Sequence, residues 1–538
     1  MKDIMDFFPL STPRPKQTAI IRAIDGAIQN GAKTILLESP VGSGKSAIAM
    51  TLAKYRGDSH TITTQKTLQG QYHADFNNMV VTMKGRNAYP CIHPKFTSGV
   101  SPIELLNNIE RGNCEYSEIQ SCANGICTRA LTSTEFARIV KECSLVDSRG
   151  CPYQMAAEIA ANSGHVIHNT HSFFFQTKFT ERFDKRSTLV IDECHDLEPT
   201  IRDIGSITVT LRLSESSDVD YDKFTLGEFK SLFTSYRDAY YTNRGEVKPG
   251  CEENYEKITA LIDSLETRYV EWNYVCKVFK GYNGYVSFTF TILDVGDIIR
   301  DAVMTYGDVS LMMSGTIYNK EFFCGLNGLD PEEVTFIRST SEFPVENRLV
   351  IYSKSLGVNC QRATWYKEDG LGKIICSIKT ILEKHPNEKG LIHVGSYEEA
   401  SVIKEALRSL NRIVIHTPED YEVTLNSFYR SEVPNLVLIS PRSQQGVDMF
   451  GDRARFQIIT KVPYLNVGDK VIQKLKDKNR LWYNLRTLIV FGQQLGRIVR
   501  SPSDYGRTYL LDSRFPDFLR GMWNYIPEWQ REAFRMIQ

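Results

Sequence analysis

The chain has 538 residues, of which 42% are apolar and 24% charged. At about 150 residues per domain this predicts three or four domains, and it excludes a disordered polar chain or a fibrous repeat. Its 64 basic and 64 acidic side chains cancel, so a polyanionic partner must be gripped by a local groove rather than by the field of the whole molecule.

The N-terminus carries Lys2, Asp3 and Asp6 around a short apolar patch, and no stretch reaches the roughly 18 uninterrupted apolar residues of a membrane span. The reading is a chain that neither spans a membrane nor is secreted, in the cytoplasm, on a nucleoid, or in the host compartment if the source is viral. Arg14-Pro-Lys-Gln17 then places a guanidinium and an amide where they are able to read an adenine edge, a Pro-containing terminal loop being the plain alternative.

Residues 33–53, KTILLESPVGSGKSAIAMTLA, predict a strand over Thr34–Leu37, a glycine-containing turn, and a helix opening at Ser46. In a P-loop the glycines let backbone N–H groups turn inward around phosphates, a lysine reaches the β/γ-phosphates, and the next hydroxyl meets Mg²⁺. Gly42, Ser43, Gly44, Lys45 and Ser46 fill that pattern, although Ser39 stands where its first glycine is usual.

Six of the twelve cysteines (Cys91, Cys114, Cys122, Cys127, Cys143, Cys151) crowd into residues 91–151, far above an even spread. A disulfide scaffold fits a large chain without a secretory signal poorly. Cys114-x7-Cys122-x4-Cys127 lacks the paired C-x2-C knuckles of structural zinc, whereas a cubane cluster tolerates thiolates arriving from different loops. The segment holds six basic and seven acidic residues, so it is not a basic patch.

Thr188–His195, TLVIDECH, predicts a buried strand ending in two carboxylates. Asp192 suits the Mg²⁺ shell, and Glu193 suits orientation and polarisation of an attacking water. A solvated strand end explains the pair alone; with a P-loop upstream, the two segments read as one ATPase site. No N-K-x-D element for reading guanine is present. The stretch from about 205 to 300 has helical spacing and many aromatics, more of them core than contact. Near the end, FGQQLGRIVR (491–500) puts Arg497 and Arg500 three apart on one predicted helical face, with Gln493 a turn earlier. Projected onto a γ-phosphate they would act as arginine fingers that couple hydrolysis to domain closure; a solvated basic face is the alternative.

SPVGSGKS, DECH, LMMSGTI (311–317), QQGVD (444–448) and QQLGRIVR occur in the order of superfamily 2 helicase motifs I, II, III, V and VI, and the chain resembles a two-lobed DNA helicase. TTQKTLQGQY (63–72), KGRNAYPC (84–91), CPYQMAAEIA (151–160), SEFPVENR (341–348), HVGSY (393–397), KVPY (461–464) and DYGRTYLLDSRF (504–515) make it similar to the XPD/DinG family of iron-sulfur helicases. It departs in having DECH for DEAH, Gln445 where Glu is common, and Thr170 where Tyr is usual.

The resemblance implies an α/β fold of two RecA-like, doubly wound parallel-sheet lobes with ATP between them and two insertions in the first lobe. The implied partition is lobe 1 at 1–90, 152–204 and 301–334, an iron-sulfur domain at 91–151, an Arch-like helical insertion at 205–300, and lobe 2 at 335–538. It adds Asp448 to the nucleotide-binding set. It assigns Cys91, Cys151 and, by likeness to DinG-type C-x4-C spacing, Cys122 and Cys127 to a [4Fe-4S] cluster, which would serve as a staple for a small domain. The implied activity is ATP-dependent 5′ to 3′ translocation of a monomer on single-stranded DNA, acting on forked or tailed duplex in repair, replication or recombination. A switch or remodeller that clamps nucleic acid without separating strands is the main rival. An electron carrier is weaker, for no flavin or NAD fingerprint accompanies the cysteines.

Overall fold

The computed structural model describes residues 2–85, 88, 152–178, 180–213, 219–241, 247–248, 252–270, 273–281, 284–364, 370–442 and 449–537. The first of its three sheets contains β1 (Thr34–Glu38), β2 (Ser59–Thr63), β3 (Val81–Met83), β4 (His165–Asn169), β5 (Arg186–Asp192), β9 (Gly307–Ser314) and β10 (Val334–Arg338). All seven are parallel, in the order β10-β1-β9-β5-β2-β4-β3. Ile35, Leu36 and Leu37 of β1 and Leu189, Val190 and Ile191 of β5 are buried, as a parallel sheet covered on both faces requires.

Because the strands run the same way, their C-terminal ends share one edge. Glu38 of β1 lies opposite Ser314 of β9, and Met313 lies opposite Asp192 of β5. The P-loop, the acidic box and the SGT turn therefore leave the sheet side by side, in the crevice where doubly wound sheets bind ligands.

The second lobe is built on β11 (Val350–Ser353), β12 (Gly390–His393), β13 (Ile413–Ile415), β14 (Val437–Ser440), β15 (Phe456–Ile459), β16 (Arg507–Leu510) and β17 (Phe534–Ile537), also all parallel, in the order β13-β14-β12-β15-β16-β11-β17. Between β15 and β16 the long helix Arg480–Leu495 carries its C-terminal end to the first lobe. Two expectations change in detail. β10 pairs along its whole length with β1, so the first sheet runs to Arg338 and the boundary at 334/335 falls inside a strand; an isolated apolar run cannot say which sheet it joins. The 205–300 insertion is not helical throughout. Helices Leu226–Asp238 and Glu252–Thr267 pack on an antiparallel sheet of β6 (Ile207–Arg212), β7 (Tyr274–Lys280) and β8 (Tyr285–Ile292), ordered β6-β8-β7. The alternation in YVCKVFK and YVSFTFTI carries the strand signal. Among the described residues no helix is long and apolar enough to cross a membrane.

The first lobe buries two imidazoles against each other. His60 Nε2 bonds the Asp184 carbonyl (2.9 Å) and its Nδ1 lies 3.1 Å from His168 Nε2. With both rings neutral, His60 Nε2–H donates to the carbonyl and its Nδ1 accepts from His168 Nε2–H. Burial, reinforced by Arg186, pushes His60 down to about 4, and burial does the same to His393 in β12. The unfolded chain binds these protons below about pH 6.5, while the folded chain refuses them until about pH 4. Stability is thus complete above pH 6.5 and lost as pH falls through that window, by about 2 kcal/mol per histidine at pH 5. The urea midpoint is expected to drop clearly between pH 7 and pH 5; an unchanged midpoint would contradict neutral burial.

Candidate active site

The loop after β1 turns on Gly42 and Gly44, both at φ +78°, and Gly44 caps the helix Lys45–Arg56. A Cβ at Gly44 would run into the Gln17 amide and the Arg14 guanidinium. A loop whose N–H groups point inward toward phosphates turns carbonyls outward, and these need donors. The Arg14 guanidinium donates to Gly42 O (2.9 Å), Gln17 Nε2 donates to Ser43 O (3.2 Å), and Gln17 Oε1 accepts from Arg14 N (2.9 Å). The two residues expected to face an adenine edge also brace the loop.

Lys45 is buried at the loop's end, with Nζ donating to Ser39 O at 3.4 Å. Across the crevice Asp192 is 3% exposed; its Oδ2 accepts from Tyr72 OH (3.0 Å) and its Oδ1 from Glu193 N (2.9 Å). Ser46 meets the same Tyr72 hydroxyl. Glu193 holds the left-handed conformation (φ 50°), a strained position for a residue with a side chain, and this sets its carboxylate beside that of Asp192. Burial and the Glu193 charge push Asp192 above the ordinary carboxylate range. Burial pushes Glu193 the same way, but Lys45, His195 and Arg497 overcome it and hold Glu193 below that range. Adjacent buried carboxylates beside a serine hydroxyl form an oxygen donor set of the kind a hard cation occupies, so Ser46 and Asp192 fit Mg²⁺.

From Glu193 a continuous polar chain crosses into the second lobe. Glu193 Oε2 lies 3.2 Å from His195 Nδ1 and 3.5 Å from Ser314 Oγ, and that hydroxyl is 2.8 Å from the same imidazole nitrogen. Burial lowers His195, yet Asp196 and Glu193 raise it more, so its net shift is upward. Ser314 Oγ accepts from Thr316 N (3.1 Å); Thr316 Oγ1 accepts from Gln493 Nε2 (2.9 Å); Gln493 Oε1 accepts from Arg497 at 3.4 Å. Arg486 of the same second-lobe helix donates to His195 O (2.7 Å). Glu38, fully buried at the end of β1, accepts from Ile317 N (3.0 Å), Tyr318 N (2.7 Å) and Arg338, which pins the turn bearing Thr316.

Arg497 and Arg500 do not share a helical face. The helix stops at Leu495 with Gly496 as its cap, because the chain closes on the P-loop there: a Cβ at Gly496 would lie 2.7 Å from Val41. Arg497 is buried among the site residues, while the Arg500 carbonyl sits against Gly42 and its N–H donates to Asp504 (3.2 Å). Arg14, Gln17, Gly42, Ser43, Gly44, Lys45, Ser46, Asp192, Glu193, Gln493, Arg497 and Arg500 are thereby brought to one inter-lobe crevice. Asp448, Cys91, Cys122, Cys127 and Cys151 lie outside the described residues, and among the described ones no cluster of three His, Cys, Asp or Glu side chains is placed to hold a metal. Sequence reasoning missed Tyr72, His195, Ser314, Thr316 and Arg486 as members of the network. The segment LMMSGTI was visible, but a strand exit does not say which hydroxyl faces which neighbour.

Two parallel-sheet lobes that jointly enclose a P-loop and an acidic box define the class of two-lobed, RecA-like nucleotide-dependent motors. Two family models match, one in each lobe: DEAD_2 over residues 60–213 and the helicase C-terminal domain over residues 378–533. In fold the chain is similar to Xpd4 of S. tokodaii (TM-score 0.56, 14% identity, 98% of this chain and 100% of that one) and to an apo XPD (0.53, 11%, 96% and 100%). In sequence it is similar to the regulator of telomere elongation helicase 1 homologs of Drosophila willistoni (30% identity) and Drosophila melanogaster (29%), each over 18% of this chain and 12% of that protein. The match therefore spans about an eighth of those relatives' length. The helicase family models in both lobes and the shared fold make the chain similar to the XPD/DinG-like superfamily 2 helicases.

Proposed function

We propose that the chain is an ATP-driven DNA helicase that moves 5′ to 3′ along single-stranded DNA, as a monomer, and opens forked or tailed duplex during repair, replication or recombination. The observation that carries the reading is the polar chain from Glu193 through Ser314 and Thr316 to Gln493 and Arg497. It gives a hydrolysis site that is complete only when both lobes contribute, which ties turnover to lobe closure. The relatives named as helicases and the family models in both lobes support the same reading.

In this scheme the backbone of Gly42–Gly44 cradles the phosphates and Lys45 meets the β/γ-phosphates. Ser46 and Asp192 hold Mg²⁺, which neutralises charge on the phosphates. Glu193, kept ionised by Lys45 and His195, orients the water that attacks the γ-phosphorus and accepts its proton. Arg497 and Arg500 stabilise charge on the departing phosphoryl group, Gln493 holds Arg497 in register, and Asp448 completes the set. The domain partition, with the last part of lobe 1 running to Arg338, and a [4Fe-4S] cluster on Cys91, Cys122, Cys127 and Cys151 belong to the same reading; the cluster rests on the flanks of Cys91 and Cys151 and on the C-x4-C spacing of Cys122 and Cys127.

The deciding experiment is strand displacement on duplexes that differ only in overhang polarity, with iron measured in the same anaerobic preparation. Unwinding of the 5′-tailed substrate and roughly four irons per chain are expected. Unwinding only from a 3′ tail would reverse the polarity. DNA-stimulated hydrolysis without displacement would favour a remodeller, and stoichiometric zinc would remove the cluster.

A further inference from the structure

The three-stranded sheet of the insertion has two unlike faces. Val209, Leu211, Val286 and Phe288 point inward and are buried against the two helices. The pairing register puts Thr210, Ser287 and Phe279 in one row on the opposite face, and Arg212 with Tyr285 in the next. That outer face is covered at one end only. There Val275 packs against Val471 and Leu475 of the second-lobe helix Lys470–Lys478, and Lys277 pairs with Asp469 at 2.6 Å. At the other end Phe279 is 71% and Tyr285 47% exposed.

This open end has a chemistry of its own. Two large rings stand on adjacent strands as diagonal neighbours, about 7–8 Å apart in such a sheet. The Arg212 guanidinium lies over the Tyr285 ring (5.9 Å), and Tyr236 OH holds the Arg212 backbone on both sides, donating to its carbonyl and accepting from its N–H (3.0 Å). Between the rings and the covered end runs a hydroxyl ladder, Thr210 with Ser287 at 2.8 Å and Thr208 with Thr289 at 2.9 Å. Among the described residues no carboxylate occupies an outward position of β6, β7 or β8, and Asp469, which reaches this face from the second lobe, is taken by Lys277.

We propose that this face is a stacking platform for single-stranded nucleic acid, separate from the inter-lobe crevice. Phe279 and Tyr285 stack on successive bases; Arg212 and the hydroxyl ladder meet the backbone. Aromatic faces beside an arginine and hydroxyls, with no acid among the outward side chains of the three strands, suit a polyanion carrying planar bases, and they disfavour a basic protein partner. The platform is continuous with the seam where the insertion touches the second lobe, so a strand leaving the motor along that seam arrives on it. The inference rests on the proposed movement along single-stranded DNA.

The test compares the intact chain with the double variant Phe279→Ala/Tyr285→Ala and with Phe279→Trp/Tyr285→Trp, on a short and a long fluorescent oligothymidylate. Loss of two base stacks is expected to weaken binding of the long strand roughly ten-fold or more. Short-strand binding, short-strand-stimulated ATP turnover and the thermal midpoint should be unchanged, and the Trp variant should restore long-strand binding. Iodouracil in the long strand should also crosslink to Phe279 or Tyr285. If the intact chain binds the long strand and the Ala variant binds it equally well, the platform is overturned while the helicase reading stands. If the Ala variant alters only the oligomeric state, the face is a contact between copies and the platform is likewise overturned. If the intact chain binds neither strand, the helicase reading itself has failed.

Discussion

Lys45→Ala is expected to abolish DNA-stimulated ATP hydrolysis, by about 10²–10³-fold or more, while leaving single-strand binding measurable. The side chain acts twice. Its ammonium is the cation available at the end of the loop for the β/γ-phosphates, and it is the strongest of the groups that hold the buried Glu193 carboxylate ionised. Its removal therefore weakens phosphate binding and also lets burial push Glu193 toward the protonated form, which cannot accept a proton from water. Strand grip uses other surfaces, so oligonucleotide affinity should survive. The check is ATP turnover at saturating oligothymidylate together with a separate binding titration. Retention of more than a small fraction of turnover would show that Lys45 does not serve the reacting phosphates.

Arg497→Ala should lower turnover by about 10³-fold, as expected of an arginine finger, with a far smaller change in apparent ATP affinity. Arg497 is buried at the lobe junction, bonded through Gln493 to Thr316, and contributes to holding Glu193 ionised. Groups that engage charge developing in the transition state appear in kcat, whereas groups that merely bind nucleotide appear in KM. Arg500→Ala should change turnover in the same direction. Steady-state kinetics over a range of ATP concentrations separate the outcomes, and a pure rise in KM would reassign both arginines to ground-state binding.

The parts of this protein written in short stretches of sequence were legible from sequence alone. A P-loop is a strand, a glycine turn and a helix start within one run of residues, so Gly42, Gly44, Lys45 and Ser46 announce themselves; Asp192 and Glu193 do so at the end of a Val/Ile strand for the same reason. The order of the motifs along the chain likewise fixed the two-lobed class, and both sheets appear with their strands parallel. What the chain alone left undecided is everything that depends on residues far apart meeting. Arg14 and Gln17 read from sequence as base contacts alone; in the fold they also brace the carbonyls of Gly42 and Ser43, 28 and 26 residues away in the chain. Arg497 and Arg500 read as one helical face because spacing cannot reveal that the helix must end at Gly496 to let Val41 approach. Ser314, Thr316 and His195 lay inside recognisable segments that did not show what they would bond, since a hydroxyl or an imidazole gains its role from the neighbour that parallel pairing sets beside it. Sequence determined which chemistry is available, because that chemistry is local; tertiary structure decided which groups share it, because hydrogen bonding and burial are settled by contacts between distant segments.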